Sequence, residues 1–350
     1  MVGRIRNGKD GNDADGSWHG DGMSGDARDI AAAGDDLPVL VIGGPTASGK
    51  SALAVALAEQ LGGEVINADS MQIYRGLPIL TAQPDAATRA RAPHRLYGVL
   101  DLDQSCSAGR WRSLAIAAIA AARAQGRVPI VVGGTGLYLR ALMTGLAEIP
   151  DTPPELRARL AAQLEAIGAP AFHRALSERD PEMAARLLPS DRQRLIRAAE
   201  VLEATGRSLA DWQRATKPKL AGEAALRFRT VLVAPPRAEL YAACNDRFRR
   251  MVEQGALLEA QHVAERGLDP ALPGMKTLGL PALLSHLRDE LPLDGAIEQA
   301  QSATRHYAKR QVTWFSRQFI AEFIINEKLS EHNIERFIPL IIKLFLTEGF

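Results

Sequence analysis

Pro38-Val39-Leu40-Val41-Ile42-Gly43-Gly44-Pro45-Thr46-Ala47-Ser48-Gly49-Lys50-Ser51 decides how the chain is read. Four apolar residues run into a glycine-rich turn. After Ser51, Leu53, Ala54, Val55, Leu57, Ala58 and Leu61 recur at helical spacing until Gly62-Gly63 closes the pattern. The stretch therefore reads as strand, loop and helix. Gly44, Gly49, Lys50 and Ser51 fit the G-x-x-x-x-G-K-[ST] spacing, in which backbone N–H groups converge on phosphate oxygens at the positive end of a helix. A bare match can be an accidental glycine turn, but strand before and helix after supply the required context. Gly44, Thr46, Ala47, Ser48, Gly49, Lys50 and Ser51 are the candidate phosphate-binding residues, with Lys50 on the outer phosphate and the Ser51 hydroxyl on Mg²⁺. The loop alone does not say whether it holds a di- or a triphosphate.

Outward from the loop, Glu64 to Ala68 reads as a second strand that delivers Asp69, Ser70 and Gln72 at its carboxyl end, where open α/β sheets bind ligands. Asp69 either faces the phosphate cradle or caps the next turn. Arg127 to Val132 reads as a third strand, running into Gly133-Gly134-Thr135. Nucleotide hydrolases often place a metal-holding Asp at such a point, and glycines here argue against ordinary γ-phosphate hydrolysis. The fold class expected is α/β, a parallel sheet of the P-loop NTPase type with an inserted helical domain.

That insertion is expected over 147–218, between core segments 37–146 and 219–319. Asp151-Thr152-Pro153-Pro154 starts one helix; a second follows Asp191 and stops at Gly206, with Arg192, Arg194 and Arg197 available outward. A strand returns at Thr230 to Ala234, and helices follow over 237–254 and 294–320. The last helix pairs Arg305 with Lys309 and His306 with Arg310 at i, i+4, with Tyr307 and Trp314 interleaved. Basic and aromatic residues together suit a nucleic-acid backbone with exposed bases, and a solvated cationic face has the same pattern.

Formal net charge is +1 over 350 residues, but residues 1–36 carry four cations against eight aspartates, so the rest is near +5. The acidic 1–36 extension is too poor in apolar residues to offset its ordering entropy and is expected to be disordered. The tail, 320–350, shifts to Ile, Phe, Asn and Lys and carries no assigned role. Cys106 and Cys244 form neither a disulfide framework nor a metal spacing and read as reduced core thiols. No run approaches the roughly 18–20 apolar residues that span a bilayer. A cytoplasmic protein without a membrane partner is expected.

Six ordered stretches resemble the tRNA dimethylallyltransferase (tRNA isopentenyltransferase) family: the loop from Gly44 to Ser51, Asn67 to Tyr74, Pro93 to Gly98, Val131 to Tyr138, Asp191 to Arg194, and Tyr307 to Gln311. The resemblance implies transfer of a dimethylallyl group from dimethylallyl diphosphate, with Mg²⁺, to the exocyclic amine of the adenosine 3′ of a tRNA anticodon. By similarity, Asp69 is the catalytic base, Thr135 bonds the diphosphate near the breaking bond, and Arg247 adds charge from the other side. The residues implied to meet the anticodon stem-loop are Ser70, Gln72, Gln193, Arg194, Arg197, Arg305, Lys309 and Arg310. A monomer is expected. The chain departs from the family at Leu80-Thr81-Ala82-Gln83-Pro84, where Gly-Thr-Ala-Lys-Pro is usual. The competing reading is an ATP-dependent small-molecule kinase.

Overall fold

The structure is a computed structural model that describes residues 37–147, 149–215 and 226–347. The acidic 1–36 extension lies outside the described residues. Strand β1 (Val39–Gly43) is buried along its whole length. Its alternating side chains divide between two cores: Val39 and Val41 face one, Leu40 and Ile42 the other. A continuous apolar run is what a parallel strand covered on both faces requires. Around it stand β2 (Gly63–Asn67), β3 (His94–Arg95), β4 (Val128–Gly133), β5 (Phe228–Val233) and β6 (Phe323–Ile325), all parallel, in the order β3-β2-β4-β1-β5-β6.

The loop after β1 leads into α1 (Lys50–Leu61), which ends at Gly62; Gly63 already belongs to β2 rather than to the helix stop. α1 lies over the Leu40 and Ile42 face. The other face is covered by α3 (Ala108–Ala124), which follows the short α2 (Ala86–Arg91), and by α4 (Gly136–Thr144). The next five helices are α5 (Pro154–Ile167), α6 (Ala169–Arg179), α7 (Pro181–Ala184), α8 (Arg192–Thr205) and α9 (Leu209–Ala215). Leu160, Leu164, Phe172, Leu176 and Leu195 give them a hydrophobic core of their own.

After β5 come α10 (Arg237–Glu253), α11 (Ala256–Glu265), α12 (Leu280–Leu287) and the long α13 (Leu293–Gln318), which packs against α4, α10 and α12. The residues after 319 have a structural role the sequence leaves blank. β6 pairs with β5 from Val231↔Phe323 to Val233↔Ile325. α14 (Glu331–Ile334) and α15 (Ile338–Leu346) then fold back onto α1, burying Ile334, Ile341 and Phe345. Cys244 is a core thiol as expected, but Cys106 is only half-buried beside the turn that opens α3.

Candidate active site

The carboxyl ends of β1, β2 and β4 open on one cavity of about 270 Å³, lined by loop residues Thr46, Ala47, Gly49, Lys50 and Ser51 together with Asp69, Gly133 and Arg247. Lys50 is buried there, and its ammonium donates to Pro45 O at 3.1 Å. Burial pushes its pKa down to about 8; Asp69 opposes the shift by favouring the cation, and Arg247 adds to it. Ser51 follows on the first turn of α1 and also lines the cavity.

Asp69 does both things the sequence left open. Its Oδ1 accepts the Met71 N–H at 2.9 Å, the turn-capping geometry, and its carboxylate lines the phosphate cavity. Its placement depends on Asn67, fully buried, whose Oδ1 accepts the Asp69 N–H at 2.8 Å while its amide donates to Asp69 O and Leu96 O, each at 3.0 Å. The Trp111 indole donates to Asn67 O at 2.9 Å and stacks on Tyr138 at 4.5 Å between ring centroids. Trp111, in the first turn of α3, thus backs the residue that clamps Asp69.

Thr135 stands across from Ser70. Its hydroxyl accepts the Ser70 N–H at 2.9 Å and donates to Ser70 Oγ at 3.2 Å. Burial, with Asp69 nearby, holds the pKa of the Tyr307 phenol above the ordinary tyrosine value. Arg247, on α10, is no surface helix arginine: its guanidinium donates to Thr46 Oγ1 at 3.3 Å from within the cavity. Burial lowers its pKa, with Asp69 pulling the other way.

Sequence reasoning missed three supports. Gln311, buried on α13, accepts the Thr46 N–H at 2.9 Å and donates to Gly134 O at 2.8 Å; its helical spacing marks it as inward but not as bonded to the phosphate loop. Glu259 accepts the N–H groups of Ile79 and Leu80 at 2.7 and 2.9 Å, fixing the loop that departs from the family pattern. In that loop Gln83 donates inward to Tyr74 O at 2.7 Å, and Leu80 is buried in the core. From the tail, Leu329 N–H donates to Ser48 O at 3.0 Å, and Lys328 joins the cavity wall.

The nucleic-acid candidates divide. Gln72 lines the cavity, with its amide donating to Thr81 O and Ala82 O at 2.9 Å each. A cleft of about 1000 Å³ runs between α3, α4 and the inserted helices, and Arg194 and Arg197 line it. Arg194 pairs with Asp191 at 3.2 Å on the surface. Arg197 lines the cleft and also pairs with the buried Glu200 at 3.2 Å, since a buried carboxylate needs a cation beside it. Gln193 is exposed beside them. Lys309 and Arg310 border a surface groove with His306, Trp314 and Arg317, and Arg310 sits over the Tyr307 ring at 5.6 Å. Arg305 is set apart from that groove, donating to Asn245 Oδ1 at 2.6 Å.

With this geometry in place, comparison with known proteins is specific. The family model described as IPP transferase matches residues 72–318. The tRNA dimethylallyltransferase of Rhodospirillum centenum is 58% identical over 284 residues, spanning 81% of this chain and 90% of that protein. That of Nitrobacter hamburgensis is 52% identical over 287 residues, 82% of this chain and 90% of the relative. Among solved structures, the tRNA isopentenylpyrophosphate transferase of Bacillus halodurans superposes with a TM-score of 0.62 at 31% identity, covering 88% of this chain and 96% of that one. A eukaryotic dimethylallyltransferase acting on tRNA gives 0.73 at 26% identity, covering 89% and 80%.

Proposed function

We propose that this chain, which belongs to the IPP transferase family, prenylates the exocyclic amine of the adenosine 3′ of the anticodon, position 37, releasing diphosphate. Dimethylallyl transfer to tRNA is its reaction, and nothing found favours the small-molecule kinase. The finer reading rests on one observation above all: the Asp69 carboxylate shares a cavity with the phosphate loop and its buried Lys50.

In this reading the adenine N6 attacks the allylic C1, the C1–O bond breaks with its electron pair leaving on diphosphate, and the N6 proton passes to Asp69. An exocyclic amine whose lone pair is delocalised is a feeble nucleophile, so a carboxylate within hydrogen-bond reach both orients it and accepts the proton. Allylic C1 carries cation-like character, and the barrier falls mainly as negative charge on the leaving group is stabilised. Lys50, the loop amides, Arg247 and Thr135 do that work.

The residues fit a bound Mg²⁺. The Ser51 hydroxyl lines the cavity, and Mg²⁺ is ordinarily held by one or two protein oxygens plus phosphates and waters, so the want of a three-residue acidic or histidine cluster among the described residues is no obstacle. Held by Ser51 and the diphosphate, it would supply positive charge to the leaving group. The inserted helices, α5 to α9, and the Lys309 and Arg310 groove grip the anticodon stem-loop, and extruding the target base costs a few kcal/mol, least from a loop. A monomer working in the cytoplasm fits this reading; no helix among the described residues is long and apolar enough to cross a membrane.

The test incubates protein, Mg²⁺, radiolabelled dimethylallyl diphosphate and unmodified tRNA, followed by digestion. Label is expected in a single modified adenosine and lost when position 37 is changed to guanosine. Label elsewhere in the tRNA overturns the positional reading.

A further inference from the structure

We infer that Gln311 is a positioning residue, whose one amide sets the phosphate cradle and the proton-accepting side of the site at a fixed separation. Its oxygen accepts Thr46 N–H at 2.9 Å and its nitrogen donates to Gly134 O at 2.8 Å, and only this orientation of the amide satisfies both partners. Each of those partners leads directly to a group that meets the substrates. Thr46 Oγ1 receives the Arg247 guanidinium, and Gly134 precedes Thr135, which is bonded to Ser70 next to Asp69. Gly134 is glycine because a Cβ there would collide with the Gln311 amide.

The inference rests on the roles proposed above for Arg247 and Thr135. It goes beyond them in assigning their relative placement to a residue that meets neither substrate. The same helix carries Lys309 and Arg310 on its outer face, so the element that borders the nucleic-acid groove is also the one that spans the reacting centre.

Two variants test it. Gln311→Met keeps length and burial but removes both hydrogen bonds. Gln311→Glu keeps an acceptor for Thr46 N–H but, when ionised, turns a second acceptor on Gly134 O; once protonated, it donates there again. Misplacing reacting groups by about an ångström costs on the order of 100-fold. For Gln311→Met, kcat at saturating substrates should therefore fall by that order while the tRNA Kd stays within about twofold. The Gln311→Glu to wild-type ratio of kcat should climb at least about tenfold from pH 8 to pH 6, since burial raises a carboxyl pKa towards that range, whereas the Gln311→Met ratio stays flat. A Gln311→Met kcat within about threefold of wild type overturns the inference, as does a Gln311→Glu ratio that does not respond to pH. In either case wild-type label transfer, measured alongside, leaves the reading of the reaction intact.

Discussion

Lys50 offers the sharpest quantitative test of the phosphate cradle. Its pKa is pushed from the ordinary 10.5 down to about 8 by burial. The profile of kcat/KM reports groups on the free enzyme. The protonated fraction of a group with a pKa near 8 falls from roughly 90% at pH 7 to roughly 10% at pH 9, so kcat/KM for dimethylallyl diphosphate should drop nearly tenfold over that interval. An unperturbed lysine would lose only a few per cent. Bound diphosphate favours the ammonium, so the limb should weaken or vanish in kcat. Stability moves the opposite way. The folded pKa lies below the unfolded one, so between about pH 8 and about 10.5 the unfolded chain holds a proton that the fold has released, and stability rises with pH. At neutral pH the buried cation costs the fold on the order of 3 kcal/mol. Lys50→Met removes that cost and about 1 kcal/mol of hydrogen bond to Pro45, for a net stabilisation of roughly 2 kcal/mol, while losing most activity. Steady-state kinetics from pH 6.5 to 9.5 and thermal melts of both proteins measure this. A wild-type kcat/KM flat from pH 7 to 9 refutes the buried-ammonium account, and a Lys50→Met protein that melts lower refutes its energetics.

The remaining predictions probe other parts of the molecule. Asp69→Asn keeps an oxygen for Met71 N–H but no base, so single-turnover transfer should fall about 10²- to 10⁴-fold with tRNA binding unchanged; a rate within tenfold of wild type removes Asp69 from that role. Binding of tRNA should weaken steeply with salt, and Lys309→Ala and Arg310→Ala should each lower the slope of log Kd against log salt by about one; an unaltered slope takes the α13 groove out of the interface. Deleting residues 320–350 uncovers the β5 edge and removes Ile325, Leu329, Ile334, Ile341 and Phe345, all at most 4% exposed. At about 1.5–3 kcal/mol per buried side chain, the truncated chain should fail to melt cooperatively, and a wild-type melting temperature would show the tail to be dispensable.

The sequence discloses what is local. β1, the glycine turn and α1 are contiguous, and a strand with both faces covered announces itself by an unbroken apolar run, so the centre of the sheet and the cradle are legible from Pro38 to Leu61. β3 is two residues long and carries no pattern of its own; it exists because Val65 and Ile66 pair with His94 and Arg95. Gln311 reads as an inward position on a helix, but its partners lie 265 and 177 residues away, and no spacing connects them. Arg197 reads outward from helical periodicity and does line the cleft, but its ion pair is not legible. The pair depends on Glu200, whose burial is a property of the packed helices and not of the local pattern. Residues after 319 look foreign by composition, yet three of them complete the parallel sheet, because an edge strand needs only backbone pairing and one buried side chain, here Ile325.

The ends of β2 and β4 explain why a phosphate loop of hydrolase type serves a transfer instead. Ala68 N–H donates to Val132 O at 2.8 Å and Thr135 N–H to Ala68 O at 3.2 Å, drawing the two strand ends together just where the cavity begins. A Cβ at Gly133 would run into the Ala68 carbonyl, so that approach leaves no room for the acidic side chain which nucleotide hydrolases often place at such a strand end to hold a metal. What the close approach provides is adjacency: Ser70 and Thr135 come within hydrogen-bond distance, and Asp69 turns towards the cradle with its backbone clamped by Asn67. The acid therefore stands just past the end of β2, where in the proposed reaction the incoming amine meets it, rather than on β4, where it would hold a metal. Moving the carboxylate by one strand turns a grip on phosphate into a grip on a leaving group.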